Sequence, residues 1–587
     1  MRTKTTLAFL VALFLVGGLN SQTIELPRFA TDEERRIESP AFLPIGITTP
    51  PTSPVRSMAE WEELQALIIS WNGQNNILTE IVRAAREECT VVICCENQSV
   101  VTQAKTKLTS SGVNITSKVT FLVAPNNSIW VRDYGPNCVY AHDVDSLYFV
   151  DWIYNRPTRI KDDTIATTIA PFFNVPLYST SEAPTDLVNT GGNFMSDGMG
   201  TAFASELILD ENKLGNPYGV GSKTEAQIDG ILSDFMGINR YIKMTPLPYD
   251  AIHHIDMHMK LLDEETLIVG QYPPGVADGP QIEANIQYVL SNFQSSFNTP
   301  YKVVRIPMPP EGGQYPNTNG DYRTYANAVF VNKTIIVPFY QQQYDTTAQR
   351  IWEEAMPGYK VVGIDCNSII PSLGAIHCIT KEVGVHDPLR IVHQELACQD
   401  NGINPGGYSV NATIQHRSGI SGAKLFYTTN LGAEWNSVDM WQGIIANDDW
   451  FSAIPPQPVG SIVYYYIEAT AVNGKTLTRP ITAPTGWWKF CVTQNTKAEE
   501  PLTAAMLDIY PNPASAITVV PVQSSAKTRG NILVFNSLGQ VVQKIFEGEI
   551  PSGSTNYFLD AGRLASGTYF VKLQTGGQVQ MKKLVVR

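Results

Sequence analysis

Between Trp61 and about Val385, short apolar runs alternate with segments of helical periodicity. Ala66 to Ser70 reads as a strand, Ile77 to Glu88 as a helix and Thr90 to Cys94 as a second strand. The same grammar returns in Leu267 to Val269, Ile282 to Phe293 and Lys302 to Ile306. It returns again in Val329 to Pro338, Thr347 to Ala355 and Tyr359 to Ile364. A weak internal repeat of one small α/β unit is predicted. After about His386 the helical patterns stop. Lys424 to Thr428, Ile462 to Thr470 and Trp487 to Val492 read as strands, with Asn473-Gly474 as a hairpin turn, and the spacing suits an immunoglobulin-like sandwich. A polar stretch from Thr493 to Leu502 then reads as a linker, and the last 80 or so residues return to strands and turns.

The N-terminus changes the picture of where the chain works. Arg2 and Lys4 precede an apolar run from Leu7 to Val16, followed by small residues that suit signal peptidase, so residues 1–21 read as a signal peptide. From Gln22 to about Pro54 the chain is polar and proline-rich, which predicts an extended arm rather than a packed element. No later apolar run reaches the roughly 18 to 20 residues needed to span a bilayer.

Composition narrows the partners. The 587 residues exceed one domain, and at roughly 150 residues per domain three or four units are expected. A formal charge of −13 excludes a general binder of nucleic acid or anionic membrane, which would need a basic face. Eight cysteines in so long a chain do not make a disulfide scaffold. One or two bridges fit, and their pairing is not given by spacing.

Four segments could carry chemistry. In an extended His253–His258 segment, alternate residues His254, Asp256 and His258 would share a face. They could serve as metal ligands, as a polar strand end, or as an imidazole and carboxylate for acid/base work. Asp133, in Trp130 to Pro136, could cap a turn or bind a cation. Gly191-Gly192 allow close backbone approach. Cys378 follows a glycine-containing loop; alone it would read as a core thiol, but acids, a histidine and glycine loops recur about one repeat apart at positions 133, 191, 254 and 378.

These residues carry a resemblance. Glu60-Trp61-Glu62, WVRDYGP (130–136), TGGNFMSDGMGTAF (190–203), HID (254–256), YANAVFVNKTIIVP (325–338) and AIHCIT (375–380) resemble, in order, the agmatine deiminase and Porphyromonas-type peptidylarginine deiminase family. The resemblance implies an α/β five-bladed pseudo-symmetric propeller of the pentein kind, with the site at its centre. It implies Cys378 as nucleophile, His254 as acid and base, Asp133 and Asp256 gripping the guanidinium, and Asn327 orienting substrate or thiolate. No metal or organic cofactor is implied. Trp130 could wall the arginine stem, with Ile252 also in the substrate-binding set.

The substrate turns on two departures. Thr190 stands where agmatine deiminases carry a glutamate, and Arg156, with Arg159, stands in a segment that differs from theirs; both resemble the peptidylarginine branch. There the resemblance implies that Arg156 and Arg159 hold the carboxylate of a C-terminal arginine. The tail, with YPNP (510–513), SGTYFVKL (566–573) and KKLVVR (582–587), resembles a type IX secretion sorting domain, which implies secretion or outer-membrane attachment through that machinery.

The expected organisation is a signal peptide (1–21), an arm (22–56), a pentein catalytic domain (57–385), an immunoglobulin-like domain (386–495), a linker (496–507) and a small all-β sorting domain (508–587). The expected activity is hydrolysis of arginine in peptides or proteins to citrulline and ammonia. The alternatives are an exported deiminase of agmatine or another small guanidine, a cysteine protease, and a non-catalytic adhesin.

Overall fold

The computed structural model describes residues 25–36, 45–400, 406–443, 448–494, 504–537, 539–575 and 578–587. The expected signal peptide and most of the expected linker lie outside the described residues.

Residues 55–384 form five small sheets that repeat one plan. Met259–Leu261 pairs antiparallel with Thr266–Gln271, the helix Gly279–Asn292 crosses over, and Lys302–Pro307 returns parallel to Thr266–Gln271. Val329–Val331, Thr334–Phe339, the helix Gln342–Ala355 and Lys360–Asp365 repeat it. Met195–Ser196, Thr201–Ser205 and Arg240–Met244 form a third copy, and Asn137–Ala141, Ser146–Tyr154 and Leu177–Thr180 a fourth. In the fifth, the antiparallel strand Lys381–Gly384 pairs with Leu64–Ser70, which is parallel to Thr90–Cys95. The end of this region is thus stitched to its beginning, about 310 residues earlier in the chain.

Local sequence accounts for the elements. The helix Asn75–Ala85 buries Ile77, Leu78, Ile81, Val82 and Ala85, the spacing of one helical face. Asn97 caps the next helix by accepting from the amides of Ser99 and Val100. Thr224 and Gln227 form a capping box on the helix Glu225–Met236, which Gly237 ends at φ 67°. A Cβ at Gly237 would lie 1.8 Å from the Val55 carbonyl oxygen, so glycine meets two demands there. Val329 to Pro338 is a hairpin rather than one strand, with Asn332 at φ 49° in its turn.

Among the described residues beyond 386, the regular structure is β strands and one 3₁₀ turn, Ala561–Arg563. One sheet contains Arg390–Val392, Tyr408–Gln415, Asp449–Ile454 and Trp441–Gln442; a second is centred on Ile420–Thr428, Ile462–Ala471 and Trp488–Thr493. Tyr408, Val410 and Ile414 of the first share a core with Leu425, Tyr465, Ile467 and Phe490 of the second. Asn473-Gly474 lies in the turn between Ile462–Ala471 and Thr476–Arg479, with Gly474 at φ 91°. Cys398 and Cys491 form a disulfide. Residues 504–587 add sheets of three and four strands around Ile532, Val534, Leu559, Val571 and Leu584. Among the described residues, no helix is long and apolar enough to cross a membrane.

The arm departs from expectation. Its described residues 25–36 do not stay clear of the body: Arg28 has no exposed surface. A charged side chain is that deeply buried only when it is paired, and its partners define the site.

Candidate active site

Each repeat carries a short turn just before its antiparallel strand, and these turns converge. They are Val131–Tyr134, Gly191–Asn193, Ile255–Met257, the loop through Asn327, and His377–Ile379. Asp133, Gly192, Asp256, Asn327 and Cys378 are therefore contributed by corresponding positions of the five units. Contacts of Val131–Tyr134 with both Gly191–Asn193 and His377–Ile379 bring the turns together.

The Arg28 guanidinium occupies the point of convergence. Its Nε and Nη2 donate to Asp133 Oδ2 and Oδ1 at 2.9 and 2.8 Å. Its Nη1 and Nη2 donate to Asp256 Oδ1 and Oδ2, each at 3.2 Å. Nη1 also lies 2.6 Å from Cys378 Sγ. Two carboxylates thus grip the planar cation bidentately, the geometry that best satisfies a guanidinium. Asp133 is itself fixed by the Gly192 amide, 3.1 Å from Oδ1.

Gly192 must be glycine for a steric reason. A Cβ there would lie 1.8 Å from Arg28 Nη2, 2.7 Å from His254 Nδ1 and 2.9 Å from Asp133 Oδ1. The missing side chain is the space in which guanidinium, imidazole and carboxylate meet.

His254 enters from a residue with left-handed backbone, His253 at φ 57°. Its Nε2 pairs with Thr190 Oγ1 at 3.0 Å, and its Nδ1, 3.5 Å from Asp133 Oδ1, has no hydrogen-bond partner. The expectation that His254, Asp256 and His258 share one face of a strand is corrected. Ile255–Met257 is a 3₁₀ turn, which breaks the alternate-residue register. His258 has no partner for either ring nitrogen, and among the described residues no group of three or more histidine, cysteine or acidic side chains could hold a metal ion.

Asn327 ties three parts together. Its amide nitrogen lies 3.2 Å from Cys378 Sγ and 3.1 Å from the Asp256 carbonyl oxygen, while its side-chain oxygen accepts from the His377 amide at 3.1 Å. His377 bridges Asp256 Oδ2 at 2.8 Å and Glu60 Oε1 at 2.9 Å. Arg132 donates to the His377 carbonyl at 3.2 Å and pairs bidentately with Glu382 at 3.0 and 2.6 Å, fixing the turn that bears Cys378. Sequence reasoning assigned no role to His377, Glu60 or Arg28. The first two stood inside quoted motifs, whereas nothing local distinguishes one arginine in a proline-rich arm.

Burial sets the protonation pattern. It raises the Cys378 thiol well above its ordinary range, with the Arg28 cation working against it. Burial and the same cation hold His254 down to about 3. Burial opposes ionisation of Asp133 and Asp256, yet Arg28 keeps both below the usual carboxylate range. With Arg28 docked, the site therefore holds a guanidinium, two carboxylates, a neutral imidazole and a thiol.

The flanking backbone is also bound. Trp130 Nε1 donates to the Leu26 carbonyl at 2.8 Å, the Arg28 amide donates to the Ser372 carbonyl at 3.1 Å, and Arg156 Nε donates to the Arg28 carbonyl at 3.0 Å. Arg159 reaches one residue further, donating to the Phe29 carbonyl at 3.1 Å and pairing with Glu34 at 2.7 Å. Arg156 thus meets a main-chain carbonyl in this chain rather than a carboxylate. A cleft of about 1140 Å³ opens beside Phe29 and includes Arg156 and Ile252 among its walls.

Comparison with known proteins agrees with this picture at the level of family. The chain is 26% identical over 285 residues to a protein of Mycoplasma mycoides subsp. mycoides named "Putative agmatine deiminase", covering 44% of this chain and 75% of that one. It is 26% identical over 298 residues to a protein of the same name from Yersinia pseudotuberculosis, covering 46% and 77%. A crystal structure titled as that of a "putative agmatine deiminase" matches with TM-score 0.51 at 22% identity, over 58% of this chain and 99% of that one. Residues 508–587 match the secretion system C-terminal sorting domain, which indicates export by the type IX machinery and surface attachment. Residues 56–383 match the family described as Porphyromonas-type peptidyl-arginine deiminase, and the chain belongs to that family of deiminases.

Proposed function

We propose that the protein is a secreted peptidylarginine deiminase, converting peptide-bound arginine and water to citrulline and ammonia. One observation carries this reading: Arg28 enters the site as part of a peptide, with its own carbonyl held by Arg156 and the Leu26 carbonyl held by Trp130. Agmatine has neither carbonyl, so neither contact would have a use. The names of the relatives favour agmatine, which is the second reading.

In the mechanism, Asp133 and Asp256 hold the guanidinium while Cys378 attacks its central carbon. The thiol proton passes to His254 as sulfur adds, so that the buried thiol need not ionise before substrate binds. His254 then protonates the departing nitrogen, Nη2 being the one beside its Nδ1. Ammonia leaves, and a thiouronium remains on Cys378. Water takes the vacated place, His254 accepts its proton, and collapse of the second tetrahedral adduct releases the ureido product and sulfur. Asn327 orients the sulfur, and Trp130, Ile252, Arg156 and Arg159 bind the peptide.

We further read the five repeated units as the blades of a pentein propeller over 57–385, and the two sheets of 386–495 as an immunoglobulin-like sandwich. The test of function is detection of ureido product from an internal-arginine peptide, a C-terminal-arginine peptide and agmatine, with wild type and Cys378→Ala. Product from either peptide, lost in the variant, supports the reading. Turnover of agmatine alone would overturn it.

A further inference from the structure

Arg28 is the most deeply buried cation among the described residues of the arm, with no exposed surface. It spans the arm and the body, and the five hydrogen bonds of its side chain all go to groups assigned above to catalysis. Nη1 touches the sulfur, Nη2 lies at the space bounded by His254 Nδ1, and both carboxylates are engaged. A tethered group in such an arrangement reacts with an effective concentration far above any free peptide.

We propose that Arg28 is a substrate of its own chain: Cys378 deiminates it once, in cis, and the product frees the arm from the site. This rests on the proposed function and extends it to a modification site. The step is a hydrolysis with water as the only co-reactant. A bond forms between Cys378 Sγ and the Arg28 guanidinium carbon, and the bond from that carbon to one terminal nitrogen breaks, ammonia carrying away the proton delivered by His254. Water then supplies the ureido oxygen, the carbon–sulfur bond breaks, and the sulfur is restored. One proton is released with ammonia, as ammonium, and no group is oxidised or reduced.

Release follows from charge. Citrulline has the shape of arginine without its cation, so Asp133 and Asp256 would be left facing each other with no counterion in a buried site. Water entry relieves that, and what still holds the arm are main-chain hydrogen bonds at Leu26, Arg28 and Phe29 and the polar contacts of Glu25 with Gln74 and of Glu34 with Thr158 and Arg159. The cleft beside Phe29 is the way out.

The test is tandem mass spectrometry of the peptide spanning residues 25–36, from full-length wild type, Cys378→Ser and Cys378→Ala. Thermal unfolding is measured on all three to verify folding. The expected result is citrulline at position 28 in nearly all wild-type chains and arginine in both variants, including after the variants are mixed with wild type. Unmodified Arg28 in wild type that converts an added arginine peptide would overturn the proposal while leaving the proposed function intact. Citrulline at position 28 of a variant after mixing would overturn the cis step. Unmodified Arg28 together with no turnover of any added guanidine would overturn both.

Discussion

His377 Nδ1 lies 2.8 Å from Asp256 Oδ2, and the opposite nitrogen of the same ring lies 2.9 Å from Glu60 Oε1. Lys260 in turn pairs with Glu60. The guanidinium-binding face of Asp256 is therefore held by a chain of buried groups that never touch the guanidinium. Replacing His377 by Ala should lower kcat/KM on the order of 10²-fold by letting Asp256 turn. His377→Asn, which can still donate to Asp256, should recover part of the loss. Equal loss in both variants would mean that the ring fills space rather than aligning the carboxylate.

Gly192→Ala separates the site from the fold. The added Cβ meets only Arg28 Nη2, His254 and Asp133 among the nearest atoms, and the backbone there is not left-handed. Thermal stability should change little, while turnover of arginine substrates should fall by more than about 10²-fold, a cost typical of misplaced reacting groups. Retained turnover would show that the guanidinium binds elsewhere.

How far the sequence alone leads depends on the distance over which a signal acts. The α/β units and the later strands were legible because periodicity is local, and the helix Asn75–Ala85 differs from its expected span only at the ends. Asp133 and Cys378 were marked by chemistry recurring about one repeat apart, and Asp256 and Asn327 by the family resemblance; these side chains do converge on one point. The 3₁₀ turn at Ile255–Met257 was not legible, since a three-residue turn between apolar positions has no periodicity of its own. Nor was the docking of Arg28, because its partners lie 105, 228 and 350 residues away. Composition assigned the arm to an extended segment; residues 34–36 instead form a 3₁₀ turn, and a single salt-bridged arginine ties the arm to the body.

Buried histidines should make the protein acid-labile. Burial holds His258 down to about 4 from an ordinary 6.5, and His393 likewise to about 4. A folded-state value below the unfolded one means that the unfolded chain binds more protons between them. Stability is then complete above pH 6.5 and is lost as pH falls toward 4, by roughly 3 kcal/mol for His258 on this shift. Denaturant unfolding at pH 7 and pH 4.5 should show a smaller difference in His258→Phe than in wild type. An unchanged difference would mean that His258 is not buried neutral.

The Cys398–Cys491 disulfide closes 93 residues within the two-sheet region. Cys398→Ala should destabilise that region on the order of 2–4 kcal/mol through the freed unfolded chain. Deiminase activity should persist, because Cys378 belongs to a different packed core. Loss of activity without loss of stability would contradict that separation.

Whether the site reads arginine as part of a peptide is measured most directly by kcat/KM for an internal-arginine peptide and for agmatine, on wild type and on Arg156→Ala. Wild type should prefer the peptide, and removing the guanidinium that holds the Arg28 carbonyl should reduce that preference about tenfold or more, the scale of one charge-assisted hydrogen bond. Agmatine as the better substrate of both proteins, or a preference unchanged by the substitution, would contradict the account.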